Sequence, residues 1–203
     1  MDNFFAASIL ILGIVMTVLG FVVLGAYRKG KNPLSLYMMG FFFIGAIGWI
    51  GEFIFATFFL SLYESDIEYL LAFSLVSEYV LFLFVARLLE IKMIYSILVG
   101  IAALLVYILE ITMPAYHILD AFSTIIIIVT VLLFFLIYKR QGDGKSLGFA
   151  LGLICILMGE ALQAETATVQ IAAIFMLAAA VVLSLGFLGV FNRAPQKGKN
   201  NPS

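Results

Sequence analysis

Residues 4–31 read FFAASILILGIVMTVLGFVVLGAYRKGK: an apolar run of more than 20 residues that stops at Tyr27 and gives way to Arg28, Lys29 and Lys31. At a rise of about 1.5 Å per residue, such a run is long enough to cross a hydrocarbon core of about 30 Å. Lipid offers no partner to backbone amides, so the run must satisfy them internally as a helix. The three bases beyond its end mark a cytoplasmic edge. Upstream, Met1-Asp2-Asn3 lacks the basic region of a secretory signal, so the run is expected to remain as a first span.

The rest of the chain repeats this alternation. Its 203 residues are 65% hydrophobic and 11% charged, with a mean hydropathy of +1.20. That composition excludes an ordinary soluble domain and makes the lipid bilayer the main partner, with no nucleic acid expected. Apolar runs between polar punctuation predict spans near Phe4 to Tyr27, Leu34 to Leu60, Ile67 to Leu89, Met93 to Met113, Ala115 to Tyr138, Leu147 to Ala164 and Thr168 to Phe191. The expected fold is therefore an all-α, seven-transmembrane bundle over residues 1–191, with a short basic tail at 192–203. Pro114 makes the turn between the fourth and fifth spans, and six spans are the alternative if one run is re-entrant.

Charge sorting fixes the expected orientation. Under this division all 11 basic residues share one side: Arg28, Lys29 and Lys31; Arg87 and Lys92; Lys139, Arg140 and Lys145; Arg193, Lys197 and Lys199. The other side carries Asp2, Glu64, Asp66, Glu68 and Glu165. The positive-inside rule then puts the N-terminus outside and the C-terminus in the cytoplasm of a multi-pass cell-membrane protein.

A repeat runs through this layout. Gly40-Phe41 is followed after nine residues by Gly51-Glu52, and Gly148-Phe149 after nine residues by Gly159-Glu160. Upstream, Tyr27-Arg28-Lys29 matches Tyr138-Lys139-Arg140. Spans 1–3 are thus expected to recur as spans 5–7, with span 4 as connector: a 3+1+3 parallel repeat.

Carboxylates inside spans are where chemistry is expected, because a charge near the bilayer centre costs about 2.5–3.5 kcal/mol on insertion scales. Glu78 falls near the middle of span 3, and the repeat sets Glu52 and Glu160 at one depth in spans 2 and 6. Glu110 and Asp120 fall near the outer ends of spans 4 and 5, where they would extend an acidic vestibule toward Glu78 or else reach the interface. His117 at the outer rim is the single candidate base at that end. Desolvation and mutual repulsion disfavour the charged forms, so protons or a cation should complete such a site. The competing expectation makes each acid a protonated link between helices, partnered by Ser74, Ser77, Tyr79, Thr57 or Gln163.

Other chemistry lacks its residues. Thr168 to Phe191 holds no lysine for a retinal Schiff base, so no cofactor is expected. One His and one Cys, Cys155, do not supply a usual zinc set. No nucleophile elbow, phosphate loop or His-Glu-x-x-His motif is present, so no enzyme is expected.

Trp49-Ile50-Gly51-Glu52, preceded by the basic loop of Arg28, Lys29 and Lys31, resembles the seven-helix N-terminal sensor regions of some prokaryotic histidine kinases and related signalling proteins. The 3+1+3 layout also resembles that of opsins and small transporters. The sensor resemblance implies an input domain rather than a catalyst, signalling through a separate cytoplasmic or membrane partner. The leading expectation is a receptor- or sensor-like protein whose outward cavity binds protons, a cation or a small cationic ligand through Glu52, Glu78, Glu160, Glu110 and Asp120. A small proton- or cation-coupled transporter or channel is the alternative, and an accessory subunit of a membrane complex the third.

Overall fold

Seven α-helices make up the computed structural model, which describes residues 2–113, 118–163 and 167–191, with the side chains of residues 60–71 outside the description. The helix α1 spans Asn3–Gly30, α2 Leu34–Phe58, α3 Leu60–Leu88, α4 Met93–Thr112, α5 Ile118–Gln141, α6 Gly144–Gln163 and α7 Val169–Phe187. Local chemistry sets several ends. Asp2 caps α1 by accepting from the Phe4 and Phe5 amides at 2.8 and 3.2 Å. At its other end Lys31 turns left-handed with φ 47°, while Arg28 and Lys29 lie against the negative end of the helix dipole. Asn32 accepts from the Leu34 amide at 3.0 Å to start α2.

Several boundaries differ from the sequence reading by three residues or more, among them the end of α7 at Phe187 rather than Phe191, and two have a clear local cause. First, α3 begins at Leu60 rather than near Ile67, because no glycine or proline lies between Glu52 and Val99 to end the helix in the acidic stretch around Glu64, Asp66 and Glu68. Second, α6 begins at Gly144 rather than Leu147. Asp143 accepts there from the Ser146 amide at 3.2 Å and its hydroxyl at 2.7 Å, and Gly142 supplies φ 69° for the turn.

Six of the seven helices, all but α3, are long and apolar enough over their described residues to cross a membrane. Their outer faces are apolar as well: Phe21, Ile47, Leu104, Leu132 and Val181 are 55–60% exposed. The architecture is that of an α-helical membrane bundle.

The packing order is a ring, α1–α2–α3–α5–α6–α7 and back to α1, with α4 outside it against α3 and α5. The closest pairs are α6/α7 and α1/α2, and the most open ring seam is α3/α5. Ile9, Leu12 and Met16 of α1 meet Phe42, Val85, Phe134, Ala150 and Met176 from the other five ring helices in one buried core. Lipid is as apolar as these side chains, so close packing rather than water exclusion holds them inside. A hydroxyl staple ties α4 to the ring: Tyr79 OH donates to the Ser96 carbonyl at 2.9 Å.

Glycines set the tightest crossing. A Cβ on Gly186 of α7 would stand 2.5 Å from the Gly148 Cα of α6, backbone against backbone, and Gly152 one turn on faces Leu183. The Gly148-x-x-x-Gly152 pair therefore packs α6 on α7 within the chain.

Candidate functional site

Phenylalanines close one end of the ring. Phe42 lies 5.9 Å from Phe149 and 6.1 Å from Phe187; Phe149 stacks on Phe134 at 5.3 Å, and Phe134 reaches Phe84 at 6.5 Å. Five ring helices thus contribute a ring to one cluster, near the ends that carry Arg28, Arg87, Lys139 and Lys145. Phe41 and Phe149 meet edge-to-face at 6.3 Å.

Past that cluster the ring holds a cavity of about 660 Å3, walled by α1, α2, α3, α5 and α6. Phe41 belongs to both, so the aromatic cluster forms the floor. Met16, Gly45, Ile127 and Leu153 complete an apolar base. Higher up stand four carboxylates, one from each of four helices: Glu52 of α2, Glu78 of α3, Asp120 of α5 and Glu160 of α6. Glu52 is six residues, about 9 Å, short of the end of α2 at Phe58. Glu160 is three residues short of the end of α6 at Gln163.

Glu78 is the anchor. It is 7% exposed, and each oxygen accepts a separate hydroxyl: Oε1 from Ser74 at 2.9 Å, Oε2 from Ser123 at 2.6 Å. These two hydrogen bonds offset part of the cost of removing this group from water. The pair also joins α3 to α5 across the most open seam of the ring. Glu160 lines the same cavity as Glu78, Glu52 and Asp120. No lysine, arginine or histidine is among the described residues that wall the cavity.

The structure thus brings Glu52, Glu78, Glu160 and Asp120 together and leaves Glu110 apart. Glu110 is 4% exposed and accepts from the Leu119 amide at 2.9 Å, serving the start of α5 from the ring's outer side. A vestibule that includes it is corrected to a helix cap, because α4 lies outside the ring. Glu110→Ala should lower the unfolding midpoint by an amount equivalent to about 1 kcal/mol, the usual worth of a lost cap, as read by thermal denaturation in detergent. His117 and Glu165 lie outside the described residues, as do the side chains of Glu64, Asp66 and Glu68.

Ser74 was among the partners that the sequence offered Glu78. Ser123 was not, although it follows Asp120 by three residues and so shares a helix face with it. Among the described residues, no three histidine, cysteine, aspartate or glutamate side chains converge closely enough to hold a metal ion. Comparison with protein-family models, with curated proteins and with solved structures gives no match.

Proposed function

We propose that this chain is a seven-span receptor of the cell membrane, N-terminus outside, which binds protons, a cation or a small cationic ligand in the chamber of Glu52, Glu78, Asp120 and Glu160. One observation carries the reading: four carboxylates from four helices line a single cavity whose described wall holds no base. Ligand binding neutralises their repulsion and lets α2, α3 and α6 draw together, giving the difference in affinity between two bundle states that a switch requires. The basic face, with Arg28, Arg87 and Lys139 at helix ends, is where a separate signalling partner would read that change. The resemblance of Trp49-Ile50-Gly51-Glu52 to sensor regions agrees with this role.

A second reading, a cation-coupled carrier, is favoured by the ring itself. Advancing three places around it carries α1, α2 and α3 onto α5, α6 and α7, as a 3+1+3 duplication demands, with α4 as an outside connector. Two such halves could rock about the open α3/α5 seam.

Reconstitution into liposomes separates the two. A receptor gives a cation-dependent change in the fluorescence of Trp49, which lines the chamber, with no flux of protons, alkali cations or tetramethylammonium. Flux that disappears in E78Q replaces the receptor with the carrier, and absence of both responses removes the cation chamber.

A further inference from the structure

We infer that the ligand of this chamber is an amphipathic organic cation, an ammonium head on a short apolar body, rather than a bare inorganic ion. The inference rests on the reading that the chamber takes a cation, and it names the chemical class.

Size is the first argument. A volume of about 660 Å3 lies within the range of roughly 300–1,000 Å3 typical of small-molecule sites. A bare metal ion is usually held by several charged or ring side chains at one point, and among the described residues no three histidine, cysteine, aspartate or glutamate side chains converge in that way. Layering is the second. Below the Glu78 carboxylate the wall keeps one hydroxyl, Ser77, which donates to the Phe41 carbonyl at 3.0 Å; otherwise it runs apolar, on α5 from Ser123 to Ile127 and on α2 from Gly48 through Gly45 to Phe41. That is one to two helical turns, about 5–10 Å, of apolar space. A hydrated ion entering it would lose water without replacement, whereas an alkyl or aryl group would gain contacts.

Gly45 keeps this lower space open, since a Cβ there would press on Met16 and stand 2.9 Å from the Ser77 hydroxyl. Trp49 gives the wall an aromatic ring beside the carboxylates, the pairing by which quaternary ammonium groups are recognised. Charge above and apolar surface below fix the orientation: head at Glu78 and Glu160, body toward Phe41.

The test uses purified full-length protein and the fluorescence of Trp49, the one tryptophan of the chain. Titration with tetramethylammonium through n-pentyltrimethylammonium should show affinity rising about three- to fourfold per added methylene. Sodium and calcium chloride should give no saturable response at matched ionic strength, and E78Q should lose the response to the whole series. Reading wild type minus E78Q removes partition into detergent, and E52Q replaces E78Q if the latter does not fold. Affinity independent of chain length, or saturable calcium or sodium binding that displaces tetramethylammonium, overturns the organic ligand while leaving a cation chamber. A Trp49 signal indifferent to every cation, and equal in wild type and variants, overturns this inference together with the reading beneath it.

Discussion

Gly148→Leu is expected to abolish the folded bundle, with the protein eluting as aggregate on size exclusion in mild detergent. The position lies on the closest helix pair of the ring, where a Cβ on either Gly148 or Gly186 meets backbone of the opposite helix rather than a movable side chain. Only separation of α6 from α7 can relieve that clash. Separation would uncover Met176, Ala179, Ala180 and Leu183, all at most 3% exposed, and leave gaps in the core they fill. Overpacking typically costs 1–3 kcal/mol, and a leucine on this backbone contact should cost about 3 kcal/mol or more. Gly148→Ala keeps the sign with a smaller size, because its gain of up to about 1 kcal/mol in helix propensity is outweighed by the clash. Gly25→Ala is the control: nothing lies within 4 Å of its added Cβ, so propensity alone acts and stability should rise by about 0.5 kcal/mol. Equal melting of Gly148→Leu and wild type would refute the crossing.

The contrast between those two glycines also shows what the sequence could tell. Run length and the clustering of bases mark where lipid begins, which is why α1, α2, α4 and α5 stand close to where they are expected. Hydropathy does not mark where backbone hydrogen bonding stops, so α3 extends back to Leu60 through residues too polar to count as a span. The break at Phe59 uses neither glycine nor proline, and it falls one residue from Leu60, where the second span is expected to end. Position along a helix was legible for the carboxylates, since residue number converts directly into rise. Azimuth was not. Helices apolar on nearly every side show no polar stripe from which an inward face can be read, so Glu110 and Asp120, adjacent in height, could not be sorted into cap and chamber. The sorting follows from α4 lying outside the ring, and ring order depends on packing between helices distant in sequence.

The double variant Glu78→Gln, Glu160→Gln is expected to lose cation binding by more than a hundredfold while melting at a higher temperature than the unliganded wild type. These two effects have one cause. Glutamine preserves the shape of each side chain and can still exchange hydrogen bonds with Ser74 and Ser123, which now meet Glu78 at 2.9 and 2.6 Å. What disappears is charge. Two unit charges about 4 Å apart interact by about 4 kcal/mol at an effective dielectric of 20, so even partial loss of this field removes most of the attraction for an ammonium group. Without ligand the ionised forms of Glu78 and Glu160 repel each other, and removing both charges should stabilise the bundle by about 1 kcal/mol at a pH where both are ionised. Tetramethylammonium should therefore raise the melting temperature of wild type toward that of the double variant, and leave the variant unmoved. If Glu78 were instead only an interhelical link, E78Q, which can keep both hydrogen bonds, would respond to tetramethylammonium as wild type does. A thermal scan with and without tetramethylammonium therefore decides between a binding site and a structural hydrogen bond.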